Sequence, residues 1–136
     1  MRLKDFALDI EAIESGSWRE APGMKGVRIK IRGEGNADWK RVTASEIGAA
    51  IAASKTGELS DEASEAITTK VLHETCLQDW SGLTEDDEKT AIPYSPEFAL
   101  KLLTDPAYKR FRTSVYLAAR TLANETVAER EKAAKN

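Results

Sequence analysis

Three branched apolar side chains alternate with three basic ones in one short stretch: Val27, Ile29 and Ile31 against Arg28, Lys30 and Arg32. This alternation is typical of a half-buried strand with a basic outer face. The preceding residues 21–26 are rich in turn-forming types, and residues 17–19 lie just before them. The pattern therefore predicts a small antiparallel hairpin before residue 33.

Further along, apolar residues recur three and four positions apart, as they do on one face of an amphipathic helix. This spacing predicts helices over residues 37–54, 61–80, 96–103 and 106–123. Start signals support the last three helices. Ser60 is a good N-cap before two acidic residues, and Ser95-Pro96 and Asp105-Pro106 each place a proline at the first helical position.

The two ends of the chain are less regular. Phe6, Leu8 and Ile10 alternate as in a strand. Both interpretations stay open, because helical spacing is also met by Leu3, Phe6, Ala7, Ile10 and Ile13. Beyond residue 123 the apolar residues thin out, which predicts a fraying helix or a charged tail. We expect a single α+β domain, predominantly α-helical, with four helices and a small N-terminal antiparallel hairpin. Its segments are a β-containing part (1–35), a helical part (36–123) and a charged C-terminal tail (124–136).

Composition narrows the class of protein. A chain of 136 residues with 41% hydrophobic and 32% charged residues forms one domain with its own core. The net charge of -3 provides no global positive field, so we expect no nucleic-acid partner. A single cysteine suits a reducing cytoplasm. No apolar run approaches the roughly 20 residues of a membrane span, and acidic residues near the N-terminus argue against a signal peptide.

One group of residues invites a catalytic or metal-binding interpretation. His73, Cys76 and Asp79 would lie near one face of the predicted 61–80 helix. A closed zinc site needs four ligands, and a cysteine nucleophile needs a separate base, yet the chain has one histidine and one cysteine. We interpret Cys76 as a small buried thiol and His73 as a rim residue. We therefore expect no catalytic residue, no cofactor and no metal.

Neither of two charged stretches in the sequence is expected to be a ligand site. The acidic residues 85–88 lack the alternating oxygen ligands and the glycine of an EF-hand, which favours a solvated loop over a calcium site. The basic face of the predicted strand is expected to be its solvent-facing side rather than a phosphate site. The glycines at positions 33 and 35 lack the remainder of a phosphate-binding motif.

A more specific block covers residues 77–105. Its elements are Leu77 and Trp80, then Gly82-Leu83, an acidic loop, Ile92-Pro93-Tyr94-Ser95-Pro96-Glu97, Leu102-Leu103 and Asp105-Pro106. This block resembles the motif of tail assembly chaperones from long-tailed phages and prophages. Three segments of the front half are also compatible with this family: Gly16–Trp18, Gly26–Ile31 and Asn36. The C-terminal residues Lys135-Asn136 are similar to the family as well.

The resemblance implies a non-enzymatic protein that acts during tail morphogenesis in the host cell cytoplasm and is not part of the mature virion. It implies the tape measure protein and the tail tube protein as partners, and it leaves a homo-oligomer open. We expect partner contacts where two helices meet and aromatic side chains stay partly exposed, at Trp80, Leu83, Tyr94 and Phe98.

Two other functions compete with this one. The first is a structural tail completion or tube-end component that stays in the virion. The second is a small DNA-binding regulator, for which the last predicted helix supplies Lys109, Arg110, Arg112 and Arg120. The acidic net charge and the lack of a basic recognition helix count against the regulator.

Overall fold

A computed structural model describes the backbone of residues 1–135 and the side chains of residues 1–133. The N-terminal segment begins with a 3-10 turn, Leu3–Asp5, followed by the short helix α1, Ile10–Ser15. The Asp9 carboxylate caps α1 by accepting a hydrogen bond from the amide of Ala12 at 3.2 Å. The segment whose pattern fitted both a helix and a strand thus begins with a 3-10 turn and ends in α1, and between them Leu8 forms an isolated antiparallel bridge with Thr126.

The predicted hairpin is present. Strand β1, Ser17–Glu20, pairs antiparallel with β2, Arg28–Ile31, with Ser17 opposite Ile31. Ile29 and Ile31 are fully buried, whereas Arg28 is exposed and Lys30 is half-buried. The prediction of a half-buried strand with a basic outer face is confirmed for Arg28 and Lys30, whereas Arg32 follows the strand and forms contacts inside the domain.

The predicted helix over residues 61–80 is wrong in its second half. Helix α3 covers only Asp61–Val71, a π-helical turn follows over Leu72–Cys76, and strand β3 occupies Leu77–Ser81. Strand β3 pairs antiparallel with β2, which becomes the central strand of a three-stranded sheet. The reason is tertiary: a buried central strand must pair its backbone polar groups on both edges, and this requirement outweighs local helical spacing.

Four further helices complete the chain. They are α2, Ala37–Ala53; α4, Pro96–Thr104; α5, Lys109–Asn124, entered through the 3-10 turn Pro106–Tyr108; and α6, Val127–Lys135. Residues 1–135 thus contain six α-helices and a three-stranded sheet. The fold is α+β and mostly helical, but the prediction of four helices with only a hairpin is wrong.

Helix α6 forms because the N-terminal segment supports it. The amide of Val127 donates to the carbonyl of Ala7 at 2.8 Å, and the Lys4 ammonium lies 3.3 Å from the Glu131 carboxylate. In the stretch beyond residue 123, predicted as a fraying helix or charged tail, α6 occupies Val127–Lys135, and Asn136 lies outside the described residues. The division of the chain into three segments stays a prediction.

The core lies between one face of the sheet and helices α4 and α5, joined by the π-helical turn. Helix α5 supplies the largest helical share, with Phe111, Val115, Ala118, Ala119 and Leu122 buried. Helix α2, in contrast, buries no residue and packs mainly against α3. The α2–α3 hairpin therefore flanks the core rather than forming it.

Asn36 joins these two parts of the domain. Its side chain is fully buried, and its Nδ2 donates to the carbonyls of Gly33 at 2.9 Å and Thr75 at 3.0 Å. Its Oδ1 accepts a hydrogen bond from the amide of Trp39 at 2.9 Å, which caps α2. One amide group thereby fixes the end of the sheet, the π-helical turn and the start of α2.

Candidate partner-binding surfaces

The aromatic cluster predicted as a partner site is built around a buried tryptophan. Trp80 is 4% exposed, and its ring meets Tyr94, Phe98 and Phe111 edge to face, with centroids 4.9, 6.2 and 5.9 Å away. Its Nε1 donates to the carbonyl of Ile92 at 2.9 Å. Trp80 therefore holds the segment before α4 against the sheet and presents no free surface itself.

The other three residues of that prediction reach the surface in part. Leu83, Tyr94 and Phe98 are all partly exposed and pack on the core from outside. Burial raises the pKa of the Tyr94 hydroxyl, and the nearby charges of Asp79 and Glu97 add to this effect. The cluster thus has a buried centre and a partly exposed apolar rim of Leu83, Tyr94 and Phe98.

The acidic loop next to this rim is solvated, as predicted, and is ordered by Asp87. The Asp87 carboxylate accepts hydrogen bonds from the Thr90 hydroxyl and from the amides of Thr90 and Lys89, and these bonds lower its pKa. The amide of Ile92 donates to the carbonyl of Leu83 at 2.9 Å and closes the loop. The loop therefore presents Leu83 in a defined position beside the aromatic cluster.

The structure separates the residues that suggested metal or nucleophile chemistry. Cys76 is buried beside Asn36 and Thr75, and burial raises the pKa of its thiol to about 12. His73 is partly exposed, with Nε2 2.8 Å from the carbonyl oxygen of Pro96, while Asp79 lies on β3. The prediction of a buried thiol is confirmed. Within residues 1–135, no group of three or more His, Cys, Asp and Glu side chains is placed to hold a metal.

The basic face of β2 is partly used inside the domain. The Arg32 guanidinium donates to the Glu14 carbonyl at 2.6 Å and to the Asp38 carboxylate at 2.8 Å. Hydrogen bonds from Arg32 and then Arg41 lower the pKa of Asp38. Arg32 therefore ties α1 to α2, which leaves Arg28 and Lys30 as the solvent-facing charges of the strand.

A groove that the sequence did not indicate runs between α3 and the α4–α5 corner, with a volume of about 710 Å³. We call it the α3–α4 groove. Its apolar lining residues are Ala66, Leu100, Leu103 and Pro106, of which Leu103 is almost fully buried. Side chains from sequence-distant helices line it together, so periodicity within one helix gave no signal for it. Leu100, at 44% exposure, is the one hint, because it is a large apolar residue outside the buried stripe of α4.

The N-terminal segment is a second feature that the predictions did not assign to a surface. Five of its first ten residues are large and exposed: Met1, Leu3, Phe6, Leu8 and Ile10. We call Leu3, Phe6, Leu8 and Ile10 the N-terminal apolar segment. In the sequence, the only indication of this segment was its ambiguous apolar pattern. Residues that fit both a strand and a helix need not share one buried face. In the structure, these four side chains are exposed to solvent.

Among the helices in the described part of the chain, none is both long and apolar enough to span a bilayer.

No curated protein and no solved structure shows significant similarity to the chain. A family model does match: that of the YdaY prophage protein covers residues 36–136, from the buried Asn36 cap to the end of the chain. Because this match spans well over half of the sequence, the chain belongs to the YdaY prophage protein family.

Proposed function

We propose that this prophage protein is a non-enzymatic tail assembly chaperone that binds the tape measure protein, the tail tube protein or both. The observation that carries the proposal is the N-terminal apolar segment, a concentration of exposed large apolar side chains on a domain with a complete core. Exposed apolar surface beyond scattered single residues marks interaction sites. Membership of a prophage family supports the phage setting.

The proposed mechanism is coverage of apolar surface. A tape measure protein with long helices exposes apolar stripes until the tail tube encloses it, and such stripes aggregate when left in water. The N-terminal apolar segment and the partly exposed rim of Leu83, Tyr94 and Phe98 offer two separate patches for such a client. Several modest contacts along one long client would add up through avidity and still release it during polymerisation.

Co-expression with the tape measure protein of the same prophage tests the proposal. We expect the soluble fraction of the client to rise and the two proteins to co-purify in moderate salt, because apolar contacts are screened little by ions. A client that stays insoluble, together with no complex with tube subunits, would contradict the proposal. Presence of the protein in purified particles at a fixed copy number would instead identify a structural tail component.

A matched pair of variants tests the N-terminal apolar segment. Ile10→Asp changes an isoleucine that is 61% exposed in this segment, and Ile51→Asp changes one that is 39% exposed on α2. Because Ile10 belongs to the proposed contact surface, we expect Ile10→Asp to lower client recovery while Ile51→Asp does not. Equal recovery with both variants would remove this segment from the contact surface. Changing Leu83 to Lys tests the rim of the aromatic cluster in the same assay.

A further inference from the structure

The N-terminal apolar segment is attached to the domain through the last helix. The amide of Val127 donates to the carbonyl of Ala7 at 2.8 Å. Within the part of the chain that the structure describes, every hydrogen bond, ion pair and bridge that residues 1–9 make beyond α1 ends on residues 126–131. We call these contacts between residues 1–9 and 126–131 the terminal clasp.

Apolar burial contributes little to holding the two chain ends together. None of the side chains of residues 1–8 is buried, and neither is any side chain of α6 through residue 133. An element with few buried apolar contacts opens locally at low cost when its other contacts are removed. The position of the N-terminal apolar segment therefore depends on the polar contacts of the clasp.

The buried member of the clasp is Asp9, which is 8% exposed. Its Oδ1 accepts a hydrogen bond from the amide of Ala12, and its Oδ2 lies 3.0 Å from Nε of Arg130 on α6. A carboxylate this deeply buried needs a partner for its charge. With Asp9 turned inward, its chain neighbours Leu8 and Ile10 are 42% and 61% exposed. The Asp9–Arg130 pair thus helps to fix which side chains of the segment face solvent.

A second, largely buried ion pair joins the clasp to the sheet. Glu125 directly precedes residues 126–131, and its carboxylate accepts a hydrogen bond from the Arg19 guanidinium of β1 at 2.8 Å. The two side chains are 11% and 24% exposed. The start of α6 is therefore held beside the sheet and gives the N-terminal segment a fixed partner.

We propose that α6 is a positioning element of the client-binding surface, which holds the N-terminal apolar segment through the terminal clasp so that its four apolar side chains face the client. A segment that is ordered before binding loses less conformational entropy in the complex, and this strengthens binding without a new contact. Arg130 is the main positioning residue, because it reaches the buried Asp9 carboxylate. The inference rests on the proposed function, since it concerns how the same surface is presented.

The amide of Val127 shows whether the clasp is closed. Val127 is the first residue of α6, where an amide has no partner within the helix, so its protection from hydrogen exchange depends on the Ala7 carbonyl. Arg130→Glu places a second carboxylate beside Asp9 and should open the clasp. We expect the Val127 amide of this variant to exchange at least about tenfold faster, while amides of α5 keep their protection because opening is local.

Recovery of a co-expressed client provides the functional measurement. Arg130→Glu should lower recovery at least about threefold, because a released segment must be ordered again on binding. Lys132→Glu is the matched control: it makes the same charge change on α6, and Lys132 is exposed and forms no ion pair among residues 1–133. We expect it to leave both recovery and exchange unchanged. Arg130→Lys keeps a positive charge near Asp9 and should retain most of the recovery.

A reversible cross-link tests the same inference within one protein. Leu8→Cys combined with Thr126→Cys places two thiols across the isolated bridge. If the closed clasp is the form that binds, the oxidised protein should recover client at least as well as the reduced protein. Loss of recovery on oxidation would overturn the proposal, because it would show that the clasp must open to bind.

The Arg130→Glu variant separates the remaining outcomes. Loss of protection at Val127 with unchanged client recovery would overturn the positioning role of α6. Unchanged protection at Val127 would overturn the clasp itself. If this variant fails to fold, the cross-linked protein decides. Failure of the wild-type chain to co-purify with its client would instead overturn the proposed function.

Discussion

Helices α2 and α5 have 17 and 16 residues, yet they are held in the domain in different ways. Helix α5 buries six residues, five of them in the hydrophobic core, whereas α2 buries none. Packing of an apolar face supplies most of the stability of a protein helix. The difference indicates that α5 organises the domain and that α2 depends on local supports.

Those supports can be named. The buried Asn36 caps the N-terminus of α2, and the Glu46 carboxylate of α2 pairs with Lys70 of α3 at 2.7 Å. The pair is exposed, so its contribution is small and weakens with salt. The α2–α3 hairpin is therefore the more lightly held part of the domain.

The largest expected effect comes from truncating the buried face of α5. Leu122 is fully buried, so Leu122→Ala should lower the free energy of unfolding by about 2–5 kcal/mol through lost burial and a cavity. Leu117→Ala, at an exposed position of the same helix, should change it by less than about 0.5 kcal/mol. Urea denaturation followed by circular dichroism measures both. Similar losses would refute the view that α5 acts through its buried face.

Alanine substitutions at two glycines compare the stability of the sheet end with that of the α2–α3 hairpin. Gly82, after β3, and Gly57, between α2 and α3, both have positive φ, +89° and +74°. A Cβ on Gly82 would clash with the carbonyl oxygen of Gly26 at 2.1 Å, whereas one on Gly57 meets nothing within 4 Å. We expect Gly57→Ala to cost about 1–2 kcal/mol from backbone strain alone, and Gly82→Ala clearly more. Equal melting temperatures of the two variants would show that the backbone near Gly82 shifts to relieve the clash with no loss of stability.

Two helix caps give a smaller contrast. Asn36→Ala removes a cap and leaves the buried carbonyls of Gly33 and Thr75 without their donor, so we expect a loss of about 1–3 kcal/mol. Ser60→Ala removes only the exposed cap that accepts from the amide of Ala63, and should cost about 1 kcal/mol. Thermal denaturation of both variants makes the comparison. A Ser60→Ala loss as large as that of Asn36→Ala would show that burial of the cap adds nothing.

The smallest expected effect concerns the pH dependence set by Cys76. Its pKa is about 12 in the folded protein and near 9 when unfolded, so the unfolded chain loses this proton first as pH rises. The neutral thiol therefore favours the folded state below pH 9, and this advantage declines above it. Between pH 9 and 10 we expect wild-type stability to fall about 1 kcal/mol further than that of Cys76→Ala. Parallel pH profiles would contradict the burial of the thiol.

The sequence allowed α2, α4 and α5 to be predicted with nearly correct bounds, because their signals are local. Caps at Ser95 and Asp105 mark two of the starts, and regular apolar spacing is present in all three helices. The hairpin was predictable for the same reason, because its two strands are joined by a short turn and pair within one stretch of chain.

Strand β3 was not predictable by the same means. Leu77 and Trp80 continue the helical spacing of α3, and only the pairing with β2, more than 40 residues away, turns them into a strand. For the candidate site, the sequence singled out Trp80 but not its burial, since edge-to-face contact with Phe111 depends on tertiary packing. The α3–α4 groove is tertiary in the same sense, because its walls come from helices far apart in sequence.

Hydrogen exchange on the full chain, alone and in complex with its co-purified client, tests the central claim that α5 organises a rigid core and that the client binds exposed apolar residues outside it. In the free protein, we expect amides of α5 to exchange much more slowly than those of α2 and α3. In the complex, protection should rise in residues 3–10 and 83–98 and stay unchanged in β1 and β2. Gains confined to the sheet, or equal protection of α2 and α5 in the free protein, would contradict the account.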